Sequence, residues 1–203
     1  MSTVIVNQTI TADGYAAGTG QTEERPFGQD GGDGWGDRLH AWMFDQGEEN
    51  RAEVEQMSGA RAHIMGRNMF GPVRGPWPDD SWKGWWGPNP PYHTPTFILT
   101  HYEREPIVME GGTTFYFVTG GIEEALRLAK QAAGDKDIKI GGGVSTVRQY
   151  LQAGLIDSLQ FALSPVVLGQ GEPLLSGIDL PALGFSVTEH VATENTTHVV
   201  LTR

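Results

Sequence analysis

The chain has 203 residues, with 25 acidic against 14 basic side chains and a formal net charge of −11. That length suits one domain with a substantial core. The negative balance disfavours phosphate backbones and anionic lipid, so neither nucleic acid nor membrane is expected as a partner. With no cysteine, disulfides, thiolate metal sites and cysteine nucleophiles are excluded. No signal-peptide pattern opens the chain and no apolar run approaches spanning length, so a soluble cytoplasmic protein is expected.

Thr3 to Thr11 is rich in β-branched residues and reads as a strand, central because Val4, Ile5 and Val6 are contiguous. It ends in an Asp13-Gly14 turn. Asp13 either caps that turn or stands at the strand's C-terminal end, where open α/β sheets place ligands. Residues 17 to 36 are rich in glycine and acid, with Asp30, Gly31, Gly32 and Asp33 among them. They lack the regular ligand spacing of a calcium loop, so no metal site is expected and a mobile active-site loop is the better reading. Helices are predicted from Trp35 to Phe44, with Asp37 as N-cap, and from about Glu48 to Met57.

Ala62 to Met65 is the next strand and runs into Gly66-Arg67-Asn68, a strand-glycine-helix corner carrying an arginine. Arg67 either pairs a surface carboxylate or clamps a phosphate with its planar fork. Residues 71 to 95 have no periodicity, many prolines, and Trp77, Trp82, Trp85 and Trp86. So much aromatic area is expected to cover a surface, either a wall over a flat ligand or a subunit contact. Further strands are predicted at Thr96–His101, Phe115–Val118 and Asp137–Ile140, with a helix from about Ile122 to Ala133. Ile156 to Leu163 and Val166 to Leu168 read as strand broken by Pro165. Two β-rich runs, 184–191 and 197–202, have the pattern of an antiparallel hairpin.

A second glycine corner, Ile140-Gly141-Gly142-Gly143-Val144-Ser145-Thr146, follows the strand ending at Ile140 and opens a helix with Val144, Val147, Tyr150 and Leu151 on one face. Glycines allow close backbone approach, and the free N–H groups of a first helical turn suit a phosphate or pyrophosphate. Tight-turn chemistry alone would also explain the triplet. The whole reads as one α/β domain spanning 1–203, with a mostly parallel twisted sheet flanked by helices and antiparallel C-terminal strands.

The two corners in this order, with Phe97-Ile98-Leu99-Thr100 between them, resemble the dihydrofolate reductase fold. Tyr150-Leu151-Gln152-Ala153-Gly154-Leu155-Ile156-Asp157, Ser164-Pro165-Val166-Val167-Leu168-Gly169-Gln170-Gly171 and the early Thr11-Ala12-Asp13-Gly14-Tyr15-Ala16 are similar to one branch of it. That branch is the reductase domain of the riboflavin-biosynthesis deaminase-reductase. The resemblance implies NADPH as cofactor. Gly141, Gly142, Gly143, Val144, Ser145 and Thr146 would cradle the pyrophosphate, and Gly66, Arg67 and Asn68 would meet the phosphate-bearing adenosine side. Thr100 and His101 would lie near the adenine ribose. It also implies a cis peptide at Gly141-Gly142 and a homodimer.

At the substrate end, the carboxylate that dihydrofolate reductases carry early in the first helix is matched by Asp37 or, in better alignment, by His40. The expected activity is NADPH-dependent hydride transfer to a C=N or C=O bond of a small flat heterocycle. Asp13, Asp37 and His40 are candidates for proton supply or anchoring, and Trp35, Trp82, Trp86 and Glu172 for substrate contact. A ribosylamino-pyrimidine reductase and a non-catalytic NADP-binding sensor are the alternatives.

Overall fold

A computed structural model describes residues 2–29 and 34–203, so Asp30, Gly31, Gly32 and Asp33 of the predicted acidic loop lie outside the described residues. The first strand, β1 (Val4–Thr11), is central as its contiguous apolar start predicts; Val4 and Val6 are buried. After it come β2 (Tyr15–Ala17), α1 (Trp35–Phe44), α2 (Arg51–Ser58), β3 (Ala62–Gly66), α3 (Arg67–Phe70), β4 (Pro95–Leu99), β5 (Ile107–Val108) and β6 (Thr114–Val118). The remainder is α4 (Gly121–Ala133), β7 (Ile138–Gly142), α5 (Val144–Gln152), β8 (Ser158–Ser164), β9 (Glu172–Pro173), β10 (Ser186–Ala192) and β11 (Thr197–Thr202).

Nine strands form one sheet in the order β10-β11-β8-β1-β7-β3-β4-β6-β5. From β8 to β6 every neighbouring pair is parallel. The C-terminal hairpin joins β8 antiparallel, and β5 adds an antiparallel edge to β6. Parallel strands buried on both faces require covering helices. On one face α4 contributes Ala125, Leu126, Ala129 and Ala133, and α5 contributes Val147, Tyr150 and Leu151. The Tyr150 hydroxyl donates to the Ile122 carbonyl at 2.8 Å, which ties α5 to α4.

One predicted strand is not formed. After β8, Pro165 supplies no N–H, and residues 166–169 fold onto the Asp13 turn instead of pairing in the sheet. Ala12 N–H donates to the Val166 carbonyl at 2.8 Å. Residues 71–94 contain no helix or strand, but their aromatic rings are anchored. Trp77, Trp82, Trp86 and Tyr92 pack on a separate core of Met65, Phe70, Ile98 and Phe115.

Candidate cofactor and active site

The adjacent parallel strands β3 and β7 end side by side, so the two glycine corners meet. A Cβ built on Gly66 would stand 2.3 Å from Thr146 Oγ1 and 3.5 Å from Gly143 N. Gly143 is the extended N-cap of α5 and provides no side-chain cap, and the first turn holds no acidic residue. The Val144, Ser145 and Thr146 N–H groups therefore face the corner as donors. The cis peptide joins Gly142 to Gly143, one residue later than the expected Gly141-Gly142. The shift has a plain cause: β7 runs on through Gly141 and Gly142, so the turn starts after them. Gln8 Nε2 donates to the Gly141 carbonyl at 2.6 Å and anchors this strand end to β1.

Arg67 opens α3 directly after Gly66. Its guanidinium carbon lies 3.6 Å from the Trp77 ring centroid and 5.4 Å from that of Tyr102. Nε and Nη2 are buried and, among the described residues, have no hydrogen-bond partner. Burial and the neighbouring positive charges of Arg74 and Arg104 depress its pKa, against an opposing effect of Tyr102. Arg104 joins the same group. Its side chain is only 3% exposed, Nε lies 3.4 Å from Asp80 Oδ1, and Nη1 and Nη2 are buried without a partner among the described residues. In a chain of net charge −11, these two arginines, with buried nitrogens unpaired among the described residues, are the groups best suited to meet an anion.

Sequence reasoning missed Arg104. Glu103-Arg104-Glu105 reads as an exposed charge run, and the usable signal was an arginine shortly after a strand that ends near the corners. The remaining cofactor candidates are nearby in the chain but differ in exposure. Asn68 is exposed on α3 and His101 is exposed beyond β4, whereas Thr100 is buried and its hydroxyl accepts from Tyr102 N–H at 3.2 Å.

The substrate-end candidates are spread over three places. The Asp13 carboxylate accepts from Thr11 Oγ1 at 2.6 Å, Leu168 N at 3.2 Å and Gly169 N at 2.7 Å. Burial would raise its pKa, but these bonds outweigh that and hold it below the usual carboxylate value. On α1, Asp37 is exposed in the first turn, and His40 stacks on Phe27 with centroids 4.6 Å apart. His40 Nδ1 lies 2.9 Å from the Gly36 carbonyl, which can only accept, so the proton sits on Nδ1. Burial lowers the His40 pKa, against the Gly36 bond and Asp37.

Trp35 is 1% exposed and packs with Leu39 and Val166, and its Nε1 is buried without a partner among the described residues. Trp82 donates to the Phe70 carbonyl at 3.0 Å, and Trp86 packs edge-on to Tyr92 at 5.0 Å. These two belong to the second core, so the structure does not bring them together with Trp35. Glu172 lies in β9 opposite Ala17 of β2, and its charge reaches Arg74. Among the described residues no three His, Asp or Glu side chains converge as metal ligands, and no helix is long and apolar enough to cross a membrane. An open groove of about 1020 Å³ runs between Leu128 of α4 and Phe97, Tyr116 and Arg104; it includes neither glycine corner.

The profile of the RibD C-terminal domain matches residues 2–199. The Bacillus subtilis (strain 168) protein YyaP, itself uncharacterised, is 38% identical over 58 residues, which are 29% of this chain and 30% of that protein. A structure from Shewanella sp. PV-4 named for riboflavin biosynthesis superposes with a TM-score of 0.59 at 22% identity, covering 99% of this chain and 98% of the other. Dihydrofolate reductase from Enterococcus faecalis, complexed with NADP(H) and RAB-propyl, gives a TM-score of 0.59 at 14% identity over 99% and 96%. The Thermotoga maritima diaminohydroxyphosphoribosylaminopyrimidine deaminase/5-amino-6-(5-phosphoribosylamino)uracil reductase gives 0.57 at 14% identity, covering 99% of this chain and 56% of that one. At these identities the superpositions establish the fold: a dihydrofolate reductase-like α/β domain.

Proposed function

Since the chain belongs to the RibD C-terminal domain family, we propose that it is an NADPH-dependent reductase acting on a C=N or C=O bond of a small flat heterocycle. The observation that carries this reading is the meeting of the two glycine corners beside buried arginine donors with no partner among the described residues. These groups suit the anionic parts of a dinucleotide. The uncapped α5 N-terminus and Gly141–Thr146 would hold the pyrophosphate. Gly66 leaves room for the backbone to approach, and Arg67 with Arg104 would take a phosphate monoester on the adenosine side, near Asn68, Thr100 and His101. When bound, the nicotinamide supplies a hydride to the acceptor carbon while the heteroatom gains a proton.

The chain's own residues divide the remaining work. Asp13 holds residues 168–169 against the end of β1 through three accepted bonds. His40 Nδ1 donates to the Gly36 carbonyl, so in the neutral ring Nε2 is the acceptor for a substrate N–H. Asp37, exposed one helical turn earlier, is the group proposed to relay the proton from solvent. Trp35, buried against Leu39 and Val166, holds α1 in place; Trp82 and Trp86, in the other core, and Glu172, in β9, lie apart from it and would meet only a substrate that reaches beyond α1. The homodimer that the resemblance implies would need an exposed contact face. The edge strand β10 is exposed along its length and offers a face for it, and sedimentation equilibrium checks this.

Titration of intrinsic tryptophan fluorescence with NADPH and NADH side by side tests the cofactor reading. Preference for NADPH is expected, and equal binding of both would remove the phosphate role of the arginines. Oxidation of NADPH against a panel of imines, pterins, aromatic carbonyls and the ribosylamino-pyrimidine then tests turnover. The engagement of Asp13 and His40 in internal bonds favours one second reading, a non-catalytic NADP-binding sensor. Binding without oxidation across the panel would select it.

A further inference from the structure

Trp77 packs against both arginines. Its ring centroid is 3.6 Å from the Arg67 guanidinium carbon and 4.7 Å from that of Arg104. The indole Nε1 donates to the Tyr102 carbonyl at 3.1 Å, and the ring packs edge-on to Phe117 at 5.3 Å and Phe70 at 6.1 Å. Beside this ring lie the four buried guanidinium nitrogens without partners among the described residues: Arg67 Nε and Nη2, and Arg104 Nη1 and Nη2. A π face attracts a cation but does not accept its in-plane N–H bonds, so these donors remain open. Trp77 belongs to the segment without helix or strand. Two residues before it, Gly75 has φ +72° and open space where a Cβ would stand, so the chain can turn there without steric resistance.

We propose that Trp77 is an internal plug: in the free protein its indole covers the Arg67–Arg104 pair, and a nucleotide bearing a phosphate monoester beside a purine displaces it. The inference rests on the NADPH reading and adds to it a self-contact that competes with the ligand. The consequence is thermodynamic. Apparent affinity equals intrinsic affinity multiplied by the fraction of molecules in which the ring has left, so weakening the plug tightens binding.

Calorimetry with adenosine 2′,5′-bisphosphate, and adenosine 5′-monophosphate as control, tests this on the full chain. Trp77→Leu keeps apolar contact with Phe70 and Phe117 but removes the π face, and is expected to bind the bisphosphate about tenfold tighter. Trp77→Leu combined with Arg104→Met is expected to lose that gain, with the monophosphate little affected. Trp77→Phe keeps a ring but frees it from the Tyr102 carbonyl, and is expected to gain about threefold. It serves as the test if Trp77→Leu does not fold. Unchanged or weaker binding by the single variants, with wild type binding well, overturns the plug and leaves the cofactor reading intact. No binding by wild type or single variants of normal circular dichroism removes both.

Discussion

Gly66 and Thr146 come from corners 80 residues apart in the chain, yet no side chain can be added to the first without striking the hydroxyl of the second: a Cβ on Gly66 would lie 2.3 Å from Thr146 Oγ1. Gly66 has φ −77°, which any residue adopts, so the constraint is contact and not backbone conformation. Gly66→Ala must turn the Thr146 side chain or push the start of α5 away from α3. Overpacking of this kind costs about 1–3 kcal/mol. The expected outcome is a lower urea midpoint together with loss of dinucleotide binding, and Thr146→Ala in the same chain is expected to restore part of both.

Arg67→Ala is expected to weaken NADPH by about tenfold to a hundredfold, the range for a hydrogen bond to a charged group, and NADH far less. Parallel fluorescence titrations check it. Equal losses for both nucleotides would mean that Arg67 serves the corner's structure and not the extra phosphate.

Asp13→Ala releases two backbone N–H groups, of Leu168 and Gly169, from their acceptor. Faster hydrogen exchange at those two amides is expected, with the parallel sheet protected as before. The pH dependence has a definite sign. Because the folded-state pKa of Asp13 is depressed, its contribution is present above the unfolded carboxylate value and is lost as pH falls through the lower folded one. Loosening of residues 168–169 at acid pH, absent from the variant because it is already loose, is the expected signature.

Lys139 is 6% exposed on β7, its Nζ donates to the Gln56 carbonyl at 3.2 Å, and burial lowers its pKa from 10.5 to about 8. Between those values the unfolded chain holds a proton that the folded chain lacks, so stability rises with pH across that window and the penalty is full below it. The shift corresponds to about 3 kcal/mol. Lys139→Met is therefore expected to stabilise the protein at neutral pH by about 1–3 kcal/mol in urea unfolding, with the advantage shrinking as pH rises to 10.5.

The sequence by itself determined the sheet's centre and the corners. Contiguous, β-branched Val4, Ile5 and Val6 suit a strand inside a covered sheet, and short apolar runs ending at Gly66 and at the Gly141–Gly143 triplet announce strand-to-helix turns by local rules alone. Tertiary structure decided what local rules do not contain. The pairing of β3 with β7 made two turns into one site, and the run of β7 through Gly142 moved the cis peptide to Gly142-Gly143. Val166 to Leu168 has strand-like composition, but the Asp13 carboxylate, more than 150 residues away, claimed its neighbouring N–H groups. Arg104 stands between two glutamates in the chain, and only the fold sets its guanidinium beside Trp77. Periodicity reports which face of an element is apolar; which donor meets which acceptor depends on distances between elements, and these exist only once the chain has folded.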